Sequence, residues 1–275
     1  MTTPQSTVAD RPTGGGADAR GPALITGATR GIGHAIARTL ATQGYPVFLC
    51  GRSEEALRAT VSELRADGLT ADGVTCDVTA RAEVEHFVRS AVERFGPVEV
   101  LVNNAGRSGG GVTAEIPDTL WQDVMDTNLT SVFTLTREVL TTGRMRERAT
   151  GRIVNIASTG GKQGVVLGAP YSASKHGVVG LTKALGLELA PTGITVNAVC
   201  PGYVETPMAS DVRQHYAHIW DISEEAVLER FQKKIPLGRY TEPAEVAGLV
   251  GYLVSEAAAA ITAQALNVCG GLGNY

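Results

Sequence analysis

The chain has 275 residues, and α/β chains of this length commonly form one domain that buries most of its apolar surface. Its net charge of −4, from 24 basic and 28 acidic residues, argues against a nucleic-acid partner, because nucleic-acid-binding proteins usually carry a basic excess. The four scattered cysteines and five histidines show neither disulfide nor metal-ligand spacing, and no apolar run could span a bilayer, so we expect a reduced, cytoplasmic protein without a metal or a membrane partner.

The N-terminal segment is rich in Pro, Gly, Ser and Thr and lacks the apolar core of a signal peptide. Because such a composition offers little apolar surface for packing, we predict that residues 1–20 form a disordered tail. Residues 21–275 then form a single domain, since the sequence has no internal repeat and no sign of a second domain.

A short apolar strand over residues 23–26 leads into Gly27-Ala28-Thr29-Arg30-Gly31-Ile32-Gly33 and a helix over 34–43. Glycines between a strand and a helix let the backbone approach a pyrophosphate and present N–H groups to it. Tight turns often need glycine in any case, and the spacing G-x-x-x-G-x-G differs from the G-x-G-x-x-G of other dinucleotide folds. The flanking strand and helix favour a cofactor loop.

The second strand, over residues 47–50, is followed by Arg52 where NAD-binding folds carry an acidic residue. Arg30 lies inside the glycine loop, so two guanidinium groups are expected at the adenosine end, where they suit a 2′-phosphate. This pattern predicts NADPH or NADP as the cofactor. The alternative is a pair of solvated surface arginines, which is the usual environment of this residue.

The middle of the chain continues the alternation of strands and helices. Ser53 is a cap for a helix over 54–66, and Asp77 ends a third strand over 73–76 and could cap a helix from residue 80. A fourth strand over 98–102 is followed by Asn103-Asn104-Ala105-Gly106, then by Arg107, Ser108 and three glycines that leave room for a ligand or form a flexible lid. A long helix is predicted over 118–139.

The most informative stretch begins with a buried strand over residues 153–157 that ends at Ser158. Tyr171 and Lys175 follow on a helix, four residues apart and therefore on one face. A nearby ammonium group favours the phenolate and would lower the pKa of the tyrosine, which would make it a better general acid. Without the serine and the glycine loop, such a pair would more often be an amphipathic helix surface.

The last third of the chain contains a strand over 195–199, a polar and aromatic insertion over 208–235, a surface helix over 242–255 capped by Thr241, and a strand over 265–268. The insertion reads as two short helices that form a lid over a substrate, within about residues 206–236. Its aromatic residues could instead pack into a small core of their own; these are His215, Tyr216, Trp220 and Phe231.

Strands alternate with helices throughout, which predicts an α/β fold with a doubly wound parallel sheet. Right-handed crossovers then give a single Rossmann-type domain with seven strands in the order 3-2-1-4-5-6-7.

The serine followed by Tyr171-x-x-x-Lys175 resembles the signature of the short-chain dehydrogenase/reductase family, and the similarity extends from about residue 22 to the end of the chain. Within that family the stretches 155–166, 171–179 and 262–275 are most similar to the ketoreductases of aromatic (type II) polyketide synthases. That subgroup often has Pro-Gly-Gly where this chain has Ser108 before the glycines.

The resemblance implies roles for individual residues. The implied catalytic residues are Asn128, Ser158, Tyr171 and Lys175, with Asn128 supporting a proton relay. The implied cofactor-binding residues are Thr26, Gly27, Thr29, Arg30, Gly31, Ile32, Gly33, Arg52, Asp77, Val78, Asn104, Ala105, Gly106, Tyr171, Lys175, Pro201, Gly202, Val204 and Thr206. The implied substrate-binding residues are Arg107, Ser108, Gly109, Gly110, Thr159, Gln163, Val165, Tyr216 and Trp220.

The function that the resemblance implies is reduction by NADPH of one carbonyl, at the ninth carbon, of a poly-β-ketone bound to an acyl carrier protein. Other synthase subunits are further candidate partners, Arg107 is a candidate contact for the carrier, and the family is usually homotetrameric. Two alternatives stay open at this point. One is a β-ketoacyl carrier protein reductase of fatty acid synthesis, and the other is a non-catalytic NADPH-sensing regulator.

Overall fold

The structure is a computed structural model that describes residues 20–273 and 275. The predicted tail over residues 1–20 lies outside the described residues except for Arg20, so it stays a prediction. Within the described part of the chain, seven strands form one parallel sheet in the order β3-β2-β1-β4-β5-β6-β7, which confirms the predicted topology. The strands are β1 (Ala23–Thr26), β2 (Val47–Gly51), β3 (Ala71–Thr75), β4 (Val100–Asn103), β5 (Gly151–Ile156), β6 (Ile194–Pro201) and β7 (Ala265–Val268).

Helices connect successive strands and cover both faces of the sheet. They are α1 (Gly31–Thr42), α2 (Glu54–Ala66), α3 (Arg81–Phe95), α4 (Asp118–Met125), α5 (Ser131–Leu140), α6 (Ala169–Leu189), α7 (Pro207–Trp220), α8 (Glu224–Gln232) and α9 (Pro243–Leu253). The predicted lid corresponds to α7 and α8. Among the described residues, no helix combines the length and apolar character that a membrane span requires.

The core lies on both faces of the sheet because successive residues of a strand point to opposite sides. In β1, Ala23 and Ile25 pack with α1, α2 and α9, whereas Leu24 packs with α3 and α5. Large side chains such as Phe87 and Leu101 are fully buried, and each contributes about 1.5–3 kcal/mol relative to exposure. Because all neighbouring strands are parallel, their carboxyl ends lie at one edge of this buried sheet.

The helix predicted over 118–139 is interrupted. A π-helical turn over Asp126–Thr130 separates α4 from α5, and Asn128 lies in that turn. The spacing of apolar residues in the sequence did not indicate this break, because the apolar positions of α4 and α5 continue on neighbouring faces of the helix. π turns are rare and frequently lie at functional sites.

The cap of α2 by Ser53 is confirmed by its hydrogen bond from the Ala56 N–H, whereas the two other candidate caps, Thr241 and Asp77, do not cap the helices that follow them. α9 is capped by Glu242 and Glu245, which bond each other's backbone and side chain, rather than by Thr241. Asp77 does not cap α3. Its carboxylate instead accepts hydrogen bonds from the backbone N–H and hydroxyl of Thr79.

Candidate active site

The predicted catalytic residues meet at the carboxyl edge of the sheet. Ser158 follows β5, and its Oγ accepts a hydrogen bond of 3.0 Å from the N–H of Gly160. Tyr171 and Lys175 lie one turn apart near the start of α6, with the lysine Nζ 5.9 Å from the centre of the phenol ring. The loop after Ser158 is held closely to α6 because glycine occupies position 161, where a Cβ would lie 2.6 Å from the Lys175 carbonyl oxygen.

Lys175 is buried and directed into the site. Its Nζ donates a hydrogen bond of 2.8 Å to the carbonyl oxygen of Ile156, at the end of β5. Burial lowers the pKa of the ammonium group from its usual value to about 8, because the charged form loses hydration. The lysine is therefore mostly charged near neutral pH, but it titrates closer to neutrality than a surface lysine.

The expected lowering of the pKa of Tyr171 by Lys175 is not observed. Burial raises the pKa of the phenol, and a hydrogen bond with Ser158 opposes this increase only in part. Loss of hydration disfavours the phenolate more than the nearby serine stabilises it. The phenol consequently remains protonated at neutral pH and retains the proton that a general acid must donate.

Asn128 is fully buried next to these residues, as the family resemblance implied. Its Oδ1 accepts a hydrogen bond of 2.8 Å from the N–H of Arg107, and its Nδ2 donates to the carbonyl oxygen of Arg107 and to Ser174 Oγ. A Cβ on Gly106 would lie 3.3 Å from Asn128 Oδ1 and 3.6 Å from Lys175 Nζ, so only this glycine separates the two side chains. The structure thus brings the four predicted catalytic residues together.

The glycine loop after β1 forms a backbone cradle. Gly27 and Gly31 have positive φ angles of 62° and 56°, and a Cβ on Gly33 would overlap the carbonyl oxygen of Gly27 and the amide of Asn104. That amide donates to the carbonyl oxygens of Thr26 and Gly27, at 2.8 and 3.1 Å. The loop is therefore locked to the segment after β4 before any ligand binds.

The N-terminus of α1 is suited to an anion. Within the described part of the chain, no side chain caps this terminus and no acidic residue lies in its first turn. Its unpaired N–H groups and helix dipole would favour a pyrophosphate. Thr26, predicted to bind cofactor, has a hydroxyl that accepts hydrogen bonds from the N–H groups of Asn104 and Ala105.

The adenosine end carries the predicted arginines. Arg30 and Arg52 are exposed, at the start of α1 and just after β2. Asp77 lies close to Arg52. Hydrogen bonds from Thr79 chiefly lower the pKa of the Asp77 carboxyl, and the charge of Arg52 contributes to the lowering. Val78 beside it is buried, and Thr29 lies within contact distance of Gly51, so the glycine loop and the end of β2 form one surface. These groups fit an adenosine that carries a 2′-phosphate.

The segment after β6 lies on the other side of the cradle. Gly202 packs against Cys269, and Val204 forms a parallel bridge with Thr241. The hydroxyl of Thr206 accepts the N–H of Ala209 and so caps α7, while its methyl group lies 3.3 Å from the position of a Cβ on Gly31. Pro201 ends β6. The cradle thus contacts the first residue of the lid.

The triple glycine does not form an open space for ligand. A Cβ on Gly109 would overlap Val124, and one on Gly110 would overlap the carbonyl oxygen of Leu167. The N–H of Gly111 donates to that same oxygen at 2.8 Å. These glycines are therefore required by close packing against α4 and the loop after Ser158. The nearby Ser108 has intermediate exposure.

The remaining predicted substrate residues divide between the cleft and the lid. Thr159 is buried beside Ser158, whereas Gln163 and Val165 are exposed in the same loop. In the lid, the hydroxyl of Tyr216 donates to the carbonyl oxygen of Val166 at 2.6 Å, and its ring lies 4.7 Å from that of Trp220. Both rings also pack against Phe231, so the lid has the aromatic core that was the alternative interpretation.

Some residues of the site were not identified from the sequence. Ser174 holds the amide of Asn128, and Arg213 holds the lid to Glu205, yet both look like ordinary polar residues on a helix. Arg107 was identified, but its side chain pairs with Asp123 at 3.0 Å and its backbone, rather than its charge, contacts Asn128. Spacing within one helix does not reveal these partners.

The fold and this site define an oxidoreductase. The family model for short chain dehydrogenases matches residues 22–217, and the chain therefore belongs to the short-chain dehydrogenase family. This confirms the resemblance on which the catalytic assignment was based.

Individual relatives are more specific than the family model. A protein of Streptomyces virginiae named as a ketoacyl reductase of the monensin polyketide synthase is 70% identical over 92% of this chain and 97% of its own length. This chain also superposes on a crystal structure of a variant of the actinorhodin polyketide ketoreductase with NADPH, with a TM-score of 0.91. The two sequences are 65% identical, and the match covers 93% of this chain and 98% of the ketoreductase chain. A 3-oxoacyl-[acyl-carrier-protein] reductase of Vibrio cholerae is 39% identical over 91% of this chain and 96% of its own.

Proposed function

We propose that the protein is an NADPH-dependent ketoreductase of aromatic polyketide antibiotic biosynthesis. It reduces one carbonyl, at the ninth carbon, of a poly-β-ketone bound to an acyl carrier protein. The observation that carries this proposal is the convergence of Ser158, Tyr171, Lys175 and Asn128 beside the glycine cradle, in a chain 70% identical to a polyketide synthase ketoacyl reductase. The fatty-acid alternative is less well supported, because the 3-oxoacyl-[acyl-carrier-protein] reductases compared are only 37–40% identical.

The cofactor assignment is supported by the fit of the cradle. The N–H groups at the start of α1 would hold the pyrophosphate, and Arg30 and Arg52 would hold the 2′-phosphate. The exposed guanidinium groups can form bidentate hydrogen bonds with phosphate oxygens. When bound, NADPH would supply the hydride for reduction.

The protein's own residues supply positioning and a proton. Ser158 Oγ hydrogen-bonds the carbonyl oxygen of the substrate, and Tyr171 donates its proton to the alkoxide as it forms. The raised pKa of the phenol keeps that proton in place at neutral pH. Lys175, whose ammonium group is anchored on Ile156, stabilises the negative charge that develops on the tyrosine. Asn128 borders the lysine and supports return of a proton from solvent.

The carrier protein and other synthase subunits are the proposed partners. An acidic carrier would approach the mouth of the cleft, where Arg107 has a side chain that is 44% exposed. We expect Arg107→Ala to raise KM for carrier-bound substrate, with an effect that shrinks as salt rises, and to leave reduction of a free bicyclic ketone nearly unchanged. Equal losses on both substrates would instead place the residue in the catalytic site. We also propose that the protein is a homotetramer in the cytoplasm. Its four free cysteines are consistent with a reducing compartment.

The decisive experiment is reconstitution of the protein with a minimal polyketide synthase and NADPH, followed by identification of the product. A product reduced at the ninth carbon is expected, and Tyr171→Phe serves as the inactive control. An unreduced product, together with reduction of a β-ketoacyl carrier protein, would favour the fatty-acid role. Oxidation of NADPH with a bicyclic ketone eliminates a purely regulatory role, since a non-catalytic sensor would not turn over.

A further inference from the structure

The lid contains a buried arginine that the catalytic residues do not use. Arg213 lies in the middle of α7, and only 10% of its side chain is exposed. Its Nη1 and Nη2 donate to the two carboxylate oxygens of Glu205 at 3.2 and 3.1 Å, and its Nε donates to Glu224 at 3.0 Å. A bidentate pair with a third hydrogen bond fixes the guanidinium in both position and orientation.

The two carboxylates belong to different parts of the molecule. Glu205 lies in the segment after β6, immediately before Thr206, while Glu224 is the first residue of α8. Glu224 also accepts a hydrogen bond of 3.2 Å from the hydroxyl of Ser210 in α7. The single guanidinium of Arg213 therefore joins both lid helices to the segment that leads into the lid.

That segment touches the cofactor cradle. The methyl group of Thr206 lies over Gly31, the first residue of α1, and the N–H of Glu205 donates to the carbonyl oxygen of Thr241 at 2.9 Å. A shift of Glu205 would consequently move Thr206 relative to the N-terminus of α1. Arg213 is thus linked to the cradle through two consecutive residues.

The lid packs into an apolar cluster that is separate from the clusters on the two faces of the sheet. It is formed by Val227, Phe231, Ile235 and Tyr240, and the guanidinium carbon of Arg213 lies 5.5 Å from the centre of the Tyr240 ring. Tyr203, in the segment after β6, packs against this cluster, and its ring stacks on that of Phe231 at a centroid distance of 4.6 Å. Apolar packing therefore helps to hold the lid on the body, and the hydrogen bonds at Glu205 fix its position and orientation.

We propose that Arg213 is a positioning residue that holds the lid against the cofactor cradle through Glu205, so that placement of the lid and binding of NADPH are coupled. The proposal rests on the proposed function only in its choice of cofactor. It predicts that loss of the arginine weakens NADPH binding although the side chain lies outside the cradle.

The test compares Arg213→Met, which keeps an unbranched side chain but removes the charge, with Arg213→Lys and with Arg58→Met. Arg58 forms an exposed pair with Glu54 on α2 and is the matched control. We expect Arg213→Met to raise the NADPH dissociation constant, measured by cofactor fluorescence, by about tenfold. KM for the ketone should also rise, with kcat at saturation within about threefold of the unmutated protein. Arg213→Lys should restore part of the affinity, and Arg58→Met should have no effect.

Glu205→Gln tests whether Arg213 affects NADPH binding through Glu205. If Arg213 acts through Glu205, the double variant Arg213→Met/Glu205→Gln binds NADPH no more weakly than Arg213→Met alone. NADPH affinity of Arg213→Met within twofold of the unmutated protein, or additive losses in the double variant, would overturn the proposal. If Arg213→Met does not fold, Glu205→Gln alone carries the same expectation. An unmutated protein that binds NADPH but reduces no ketone would refute the proposed function and leave this binding test intact.

Discussion

Gly161 lies at a close approach between the catalytic loop after Ser158 and the catalytic helix α6. A Cβ at this position would lie 2.6 Å from the carbonyl oxygen of Lys175, whereas ordinary contacts begin at 3.4 Å. Gly161→Ala must therefore move the loop and α6 apart by about 0.8 Å, and overpacking of this kind costs about 1–3 kcal/mol of stability. For a chain of this size we expect the melting temperature to fall by about 2–12 °C.

The effect on catalysis should be larger than the effect on stability. Ser158 and Lys175 lie on the two parts that are forced apart, and a displacement near 1 Å in an active site lowers rates on the order of a hundredfold. The assay is the loss of NADPH absorbance with a bicyclic ketone. Gly164→Ala in the same loop is the control, because a Cβ there meets nothing within 4 Å. If Gly161→Ala matched Gly164→Ala in kcat/KM and in melting temperature, the reasoning from close approach would be refuted.

Three other predictions concern the proton, the cofactor and alkaline stability. Tyr171→Phe should abolish reduction while NADPH still binds, and turnover within about tenfold of the unmutated protein, worth ~1.4 kcal/mol, would contradict its role as acid. NADPH should be preferred to NADH, and Arg30→Ala with Arg52→Ala should remove most of the preference; equal kcat/KM for both cofactors in the unmutated protein would count against the arginines. Burial raises the pKa values of Tyr203 and Tyr240 to about 12, so the stability gained by keeping them neutral is present below pH ~10 and is lost as the pH rises through ~12. The double phenylalanine variant should lose less melting temperature across that range, and an equally steep loss in calorimetry would disprove the assignment.

The fold could be predicted because its signals are local. The apolar run of β1 ends at a glycine, and the structure confirms the strand over Ala23–Thr26. The cap of α9 was predicted one residue early, because Glu242 is not one of the Ser or Thr residues that usually begin a capping box, although Pro243 and Glu245 follow it at the usual positions. The π turn at Asp126–Thr130 left no such signal, since it changes the hydrogen-bonding register without changing the apolar period.

The candidate site was predictable to the extent that its residues follow strand ends and helix spacing. Ser158, Tyr171 and Lys175 meet as expected, but the pKa of Tyr171 moves in the opposite direction, because loss of hydration in the folded site disfavours the phenolate. The glycines at 109 and 110 were read as open space, whereas Gly110 is pressed against Leu167. Such contacts between segments far apart in sequence depend on the folded structure and have no local pattern.

The π turn around Asn128 limits how this protein can be engineered. Removing one residue from Asp126–Thr130 would allow an uninterrupted α-helix with better hydrogen-bond geometry, and would leave α4 and α5 in nearly the same relative orientation, because a π turn accommodates one extra residue in a single turn. The widened turn that places the amide of Asn128 against Arg107 and Ser174 would then be lost. Selection for thermal tolerance alone would favour such a shortened helix, whereas selection for turnover would keep the extra residue. The segment is therefore a place where the two demands oppose each other, and stabilising designs should leave it unchanged.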